Sequence, residues 1–138
     1  MRSNIYIFTD SGDHLDKQFE ALKIIYDIMI DGDGTIIHYN LENDFDGLTL
    51  DSLSKPILSR YYFDYTSCTL DEIDDEIINR YKSYRSNTED DEKYYPCVIF
   101  IDGARKMPDY TSFEDLCYFF EDKLNLLHFL NMYVIIIL

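Results

Sequence analysis

The chain has 138 residues, with 12 Lys or Arg against 27 Asp or Glu, a formal net charge of −15. That excess repels phosphate backbones and anionic membrane surfaces, which disfavours direct nucleic-acid and membrane binding, and it favours a basic protein partner steered by the protein's field. A hydrophobic share of 46% and an aromatic share of 16% are too high for a disordered acidic tail, and the length suits one domain, residues 1–138.

In chain order, Asn4-Ile5-Tyr6-Ile7-Phe8-Thr9 is β-branched and aromatic and breaks at Asp10-Ser11-Gly12-Asp13, which predicts a strand and a turn. Leu15, Phe19, Leu22, Tyr26 and Met29 then follow a helical period, with Asp13 or Ser11 as N-cap and Asp31-Gly32 as the stop. Residues 35–41 predict a second strand. Pro56 rules out a central strand in the polar stretch that follows, and residues 60–65 fit either a short strand or an ordered loop.

Thr69-Leu70-Asp71-Glu72 has the form of a capping box, opening a helix whose apolar face is Leu70, Ile73, Ile77, Tyr81 and Tyr84. Pro96-Cys97-Val98-Ile99-Phe100-Ile101 is continuously apolar and bounded by Asp102-Gly103, the pattern of a strand buried on both faces. Ser112 to Asp115 repeats the cap, and Phe113, Leu116, Cys117, Phe120, Leu124 and Leu127 form a third helical face. The apolar segment from Leu124 to Asn131 predicts a buried continuation or a second helix after a break. Residues 132–138 predict a last strand, suited to the interior of a sheet because an apolar edge invites aggregation. Strands alternating with helices imply an α/β fold: a small three- to four-stranded, largely parallel sheet with helices packed on it.

The chemistry-bearing residues are sparse. Cys68, Cys97 and Cys117 lack metal-ligand or C-x-x-C spacing and read as reduced thiols in a cytoplasmic protein; Cys97 and Cys117, in apolar runs, read as small core residues, and Cys68, beside Ser67 and Thr69, fits an exposed position. No signal peptide and no transmembrane-length apolar run is present, and no cofactor signature is found. His14, His38 and His128 are scattered over different elements, with His128 expected as a packed or helix-end residue. Asp31-Gly32-Asp33-Gly34-Thr35 matches the D-x-D-G-T loop of haloacid dehalogenase-like phosphotransferases, where Asp31 would be nucleophile and Asp33 the acid around magnesium. That loop belongs after a strand, and here it follows a helical period, so a non-enzymatic role is expected.

The C-terminal half carries two resemblances. Tyr95-Pro96 and the strand, turn and helix after it resemble a thioredoxin fold without its C-x-x-C, with a cis peptide before Pro96. From about residue 60 to 138 the chain also resembles the barstar family of intracellular ribonuclease inhibitors. Tyr95-Pro96-Cys97-Val98-Ile99 and Val134-Ile135-Ile136-Ile137-Leu138 are similar to two of that family's strands. Thr69-Leu70-Asp71-Glu72-Ile73-Asp74-Asp75-Glu76-Ile77 is similar to its inhibitory helix, with Asp74 in place of a tryptophan.

The barstar resemblance implies a barstar-like fold and an inhibitor or immunity protein that occludes the active site of a basic toxin, a nuclease, through Tyr65, Asp71, Asp75 and Asp122, with Asp74 on the same helix. A nucleic-acid mimic, such as a phage-type antagonist of a host nucleic-acid-binding protein, would use the same charge. Residues 71–92 hold nine carboxylates against three cations, so the densest charge coincides with that helix and its exit.

Overall fold

Short runs rich in Ile, Val, Tyr and Phe form five strands: β1 (Ile5–Phe8), β2 (Thr35–Asn40), β3 (Tyr62–Tyr65), β4 (Cys97–Asp102) and β5 (Met132–Ile137). The helices are α1 (His14–Ile28), α2 (Leu70–Ser86), α3 (Phe113–Glu121) and α4 (Leu124–Phe129). The computed structural model describes residues 3–9, 12–29, 34–42, 62–86 and 95–138.

The strands form one sheet in the order β1-β5-β4-β2-β3, and every neighbouring pair is parallel. The α/β class, the parallel sheet and the packed helices agree with the sequence. The sheet has five strands where three to four were expected, because residues 62–65 pair with β2 at the edge, Ile36 opposite Tyr62 through Tyr39 opposite Tyr65. The thioredoxin-like alternative fails on two counts. The peptide before Pro96 is trans, and β5, which a minimal thioredoxin has no place for, lies inside the sheet between β1 and β4.

Right-handed crossovers assign the helices to faces. The step from β1 to β2 runs across the sheet in one sense, and the steps from β3 to β4 and β4 to β5 run in the other. Two cores result. On one face Ala21, Leu22, Ile25 and Ile28 of α1 meet Ile36, Val98, Phe100, Ile135 and Ile137. On the other, Ile73 and Ile77 of α2, Leu116 and Phe120 of α3 and Leu127 of α4 meet Ile37, Ile99, Ile101, Val134 and Ile136. All six residues of β4 are buried, as a central strand covered on both sides requires.

The predicted caps form. Asp13 accepts from the Leu15 N–H, Thr69 Oγ1 from the Glu72 N–H at 3.1 Å, and Ser112 Oγ from the Asp115 N–H at 3.1 Å. A cap that no local motif announces also appears: the Leu70 N–H donates to both carboxylate oxygens of Asp109, at 3.0 and 2.9 Å, tying the start of α2 to the loop after β4.

Three expectations about burial are corrected. In α1 the face that meets the sheet is Gln18, Ala21, Leu22, Ile25 and Ile28, while Leu15, Phe19 and Tyr26 are 53%, 40% and 45% exposed. Leu22 and Met29 of the expected stripe are buried in this core, and the rest of the buried stripe is disguised by a polar residue, Gln18, whose amide finds a buried acceptor described below. The segment from Leu124 is a separate helix after a break at residues 122–123, and it buries Leu127 and Leu130 but leaves Leu124 and Phe129 exposed. Cys68 is buried and its thiol is pushed up to about 12, chiefly by desolvation, whereas Cys117 is only partly covered.

The α1 assignment predicts that Ile25→Ala lowers unfolding free energy by about 2–5 kcal/mol, while Phe19→Ala costs less than about 1 kcal/mol. Urea denaturation of the two variants checks this; the reverse order would mean that α1 is rotated.

The carboxyl edge of the sheet as candidate site

In a parallel sheet every strand ends on the same side, and each helix that follows a strand starts there. First-turn acids therefore gather at one edge: Asp16 of α1, Asp71 and Glu72 of α2, Glu114 and Asp115 of α3. Carboxylates at these positions complement the positive ends of the helix dipoles, each by about 0.3–1 kcal/mol.

The residues expected to meet a partner lie around α2. Tyr65 closes β3 at the sheet edge, 46% exposed, with its ring stacked on Tyr39 at 5.5 Å between centroids. Its strand neighbour on the same face, Phe63, is also exposed. Asp71 and Asp75, one helical turn apart, are exposed. Asp74 is partly buried and pairs with Lys123 Nζ at 3.5 Å, so its charge is shared with a cation of the same chain. Asp122, exposed, ends α3 beside Lys123, and that ion pair sets the α3–α4 corner against the second turn of α2.

The acids of α2 that act on the Tyr39 hydroxyl are Glu76 and Glu72 rather than Asp71 and Asp75. Burial, then Glu76, with Cys68, Tyr65 and Glu72 also contributing, raises the Tyr39 hydroxyl well above the ordinary phenol range. A helix turns about 100° per residue, so the one-residue offset gives the two acid pairs different directions.

A second cluster occupies the middle of this edge. β2 and β4 are parallel neighbours inside the sheet, so their last residues meet at this edge. Asn40 and Asp102 end them in register, and strand alternation puts both on the α1 face with Ile36, His38, Val98 and Phe100.

Asp102 is 0% exposed. Gln18 Nε2 of α1 donates to its Oδ2 at 2.7 Å, and His14 Nε2, from the first turn of α1, lies 3.0 Å from Oδ1. The backbone closes around the pair: the Asp102 carbonyl accepts from the Leu41 N–H at 2.9 Å, and the Gly103 N–H donates to Ile137 at 2.9 Å. Gly103 has φ +93°, a conformation that favours glycine, and the Glu42 side chain packs so close that a Cβ there would force it to shift. Glu42 in turn pairs with Lys106 at 3.0 Å. One row inward, His38 is 1% exposed and stacks on Phe100 at 4.8 Å, and burial lowers its imidazole to about 4.

The histidines are thus distributed over distinct settings: His14 at this edge, His38 inside, and His128, exposed at the end of α4, with Nδ1 3.4 Å from Asn4 Oδ1. Asp31 and Asp33 of the phosphotransferase-like motif lie outside the described residues. Among the described residues no group of three His, Cys, Asp or Glu side chains is placed to hold a metal ion, and no helix is long and apolar enough to cross a membrane. In the sequence Asp102 marks only the end of a strand, and Gln18 and Asn40 carry no motif. The available signal was positional: a polar residue ending a strand otherwise buried on both faces must find partners at the carboxyl edge.

Burial of His38 predicts a pH dependence. The folded state resists protonation down to about pH 4 while the unfolded chain takes up the proton near 6.5, so the stabilisation is complete above 6.5 and is lost as pH falls from 6.5 to 4. The loss is on the order of 3 kcal/mol at full extent. Unfolding free energies measured across this range should fall more steeply for the wild-type chain than for His38→Phe; parallel profiles would show that His38 is not the titrating group. Compared with models of known families and with curated protein sequences, the chain matches none.

Proposed function

We propose that the protein is a non-enzymatic inhibitor of the immunity-protein type, which binds a basic toxin, a nuclease, and occludes its active site. The observation that carries this reading is the arrangement at the start of α2: the exposed carboxylates of Asp71, Glu72 and Asp75 follow directly on an edge strand that exposes Phe63 and Tyr65. Carboxylates on a rigid helix stand in for substrate phosphates against the partner's Lys and Arg, and aromatic side chains with few rotatable bonds supply contact area at low entropic cost. Both elements are anchored from the core side, by Ile73 and Ile77 and by the Tyr39 stack, so little ordering is left to be done on binding.

Within this reading the residues have unequal parts. Asp71 and Asp75 present exposed charge, Tyr65 contributes from the end of β3 just before the helix, and Asp122 extends the surface at the α3–α4 corner. Asp74, held by Lys123, contributes less. The net charge of −15 raises the encounter rate with a basic partner, an effect that shrinks as salt shortens the Debye length.

The test is binding and inhibition of the toxin encoded beside this gene. Asp71→Ala and Asp75→Ala are each expected to weaken the complex by about 10-fold or more, with Asp74→Ala costing less, and association should slow steeply with added salt. Unchanged affinity in both Asp71→Ala and Asp75→Ala would remove α2 from the interface.

A further inference from the structure

We propose that the seam between α2 and the end of β3 binds one arginine side chain of a basic protein partner, with Glu72 and Glu76 holding the guanidinium over the hydroxyl of Tyr39. The basic character of the partner rests on the inhibitor reading, but the residues are not the Asp71 and Asp75 assigned there. Tyr39 is 4% exposed, and among the described residues no group hydrogen-bonds its hydroxyl. Leaving a hydroxyl in so buried a side chain without a partner is costly. The Tyr39 ring packs in the core with Ile73 and Ile77 of α2, and Tyr65 stacks on it at 5.5 Å between centroids.

The surroundings of that hydroxyl select its ligand. Burial first, then Glu76, Cys68, Tyr65 and Glu72 oppose its ionisation, so it stays a neutral phenol whose oxygen accepts. Glu72 and Glu76 lie one helical turn apart on α2, a spacing that puts their Cβ atoms about 5–6 Å from each other. Neither carboxylate has an ion pair or a hydrogen bond among the described residues. Glu72 and Tyr65 are exposed, so the seam opens to solvent at the sheet edge. Two carboxylates and a phenol oxygen call for one ligand with several N–H donors and a positive charge. A guanidinium carries five donors in a plane, enough to reach all three acceptors, and its flat face suits the exposed Tyr65 ring; an ammonium is a compact point charge without that plane.

The experiment is an NMR titration of the full-length protein, its tyrosine rings ¹³C-labelled, with Nα-acetylarginine amide. Nα-acetylcitrulline amide, which keeps the shape without the charge, and Nα-acetyllysine amide, which keeps the charge without the plane, serve as controls. Saturable shifts of the Tyr39 and Tyr65 ring signals are expected with the arginine amide, none with the citrulline amide, and about 3-fold or more weaker binding with the lysine amide. Glu72→Gln combined with Glu76→Gln should weaken arginine binding by about 10-fold or more, and Tyr39→Phe, read at Tyr65, by about 3-fold. Glu114→Gln, a change of charge on α3 away from the seam, should alter it by less than about 2-fold. Absence of a saturable shift at these rings, an equal response to either control, or equal weakening by Glu114→Gln and the Glu72 and Glu76 changes overturns the proposal. Should Tyr39→Phe fail to fold, the wild-type titrations and the glutamate variants decide the question alone. The inhibitor reading fails on a different result: a toxin complex weakened by Asp71→Ala and Asp75→Ala without an arginine response removes the seam alone, and an arginine response without a toxin complex removes the toxin alone.

Discussion

An all-parallel sheet makes one demand from which the rest of this protein follows: every strand must point its carboxyl end to the same edge, and every return must cross a face. The demand sets where charge accumulates. Helices that follow strands begin at the carboxyl edge, and their positive ends each collect one or two acids there. It also sets which strands are apolar throughout. β4 and β5 lie inside the sheet with helices on both faces, which accounts for their nearly unbroken apolar composition.

Against that background a fully buried Asp102 is costly unless it is well partnered, because desolvating a carboxylate outweighs a poorly made contact. Its partners come from α1, so the same contact that satisfies the charge also fixes the helix on the sheet. Gln18 needs its stripe turned inward, which puts Ala21, Leu22, Ile25 and Ile28 against β2, β4 and β5 and turns Leu15, Phe19 and Tyr26 outward. A polar contact of modest net stability thereby favours one of the two apolar stripes of α1 over the other, and its main contribution is to specificity.

What was legible in the sequence divides along the same line. Period and caps identified the helices, because Asp13, Thr69 and Ser112 act locally on the next turn. The continuous apolar runs marked β4 and β5 as interior strands. Features that depend on partners far along the chain were not legible: the rotation of α1 set by Gln18 and Asp102, the cap supplied to Leu70 by Asp109, the pairing of residues 62–65 with β2, and the Asp74–Lys123 contact. At the candidate site the residue types around α2 were visible. The neighbourhood of Asn40 and Asp102 was not, since the two meet only through register.

The acids of α2 raise a problem of attribution that their positions resolve. Asp71 and Glu72 lie in the first turn, where the helix dipole alone justifies a carboxylate, so their presence is explained by folding whether or not a partner exists. The dipole's influence fades beyond that turn, and Asp75, in the second, gains little from it. Asp74, beside it, has an ion-pair partner in its own chain, whereas Asp75 faces solvent. An exposed carboxylate beyond the first turn, with no dipole to complement, contributes little to stability. Asp75 is therefore the position at which the demands of the fold and of recognition separate, and a loss of binding there without a loss of stability would belong to recognition alone.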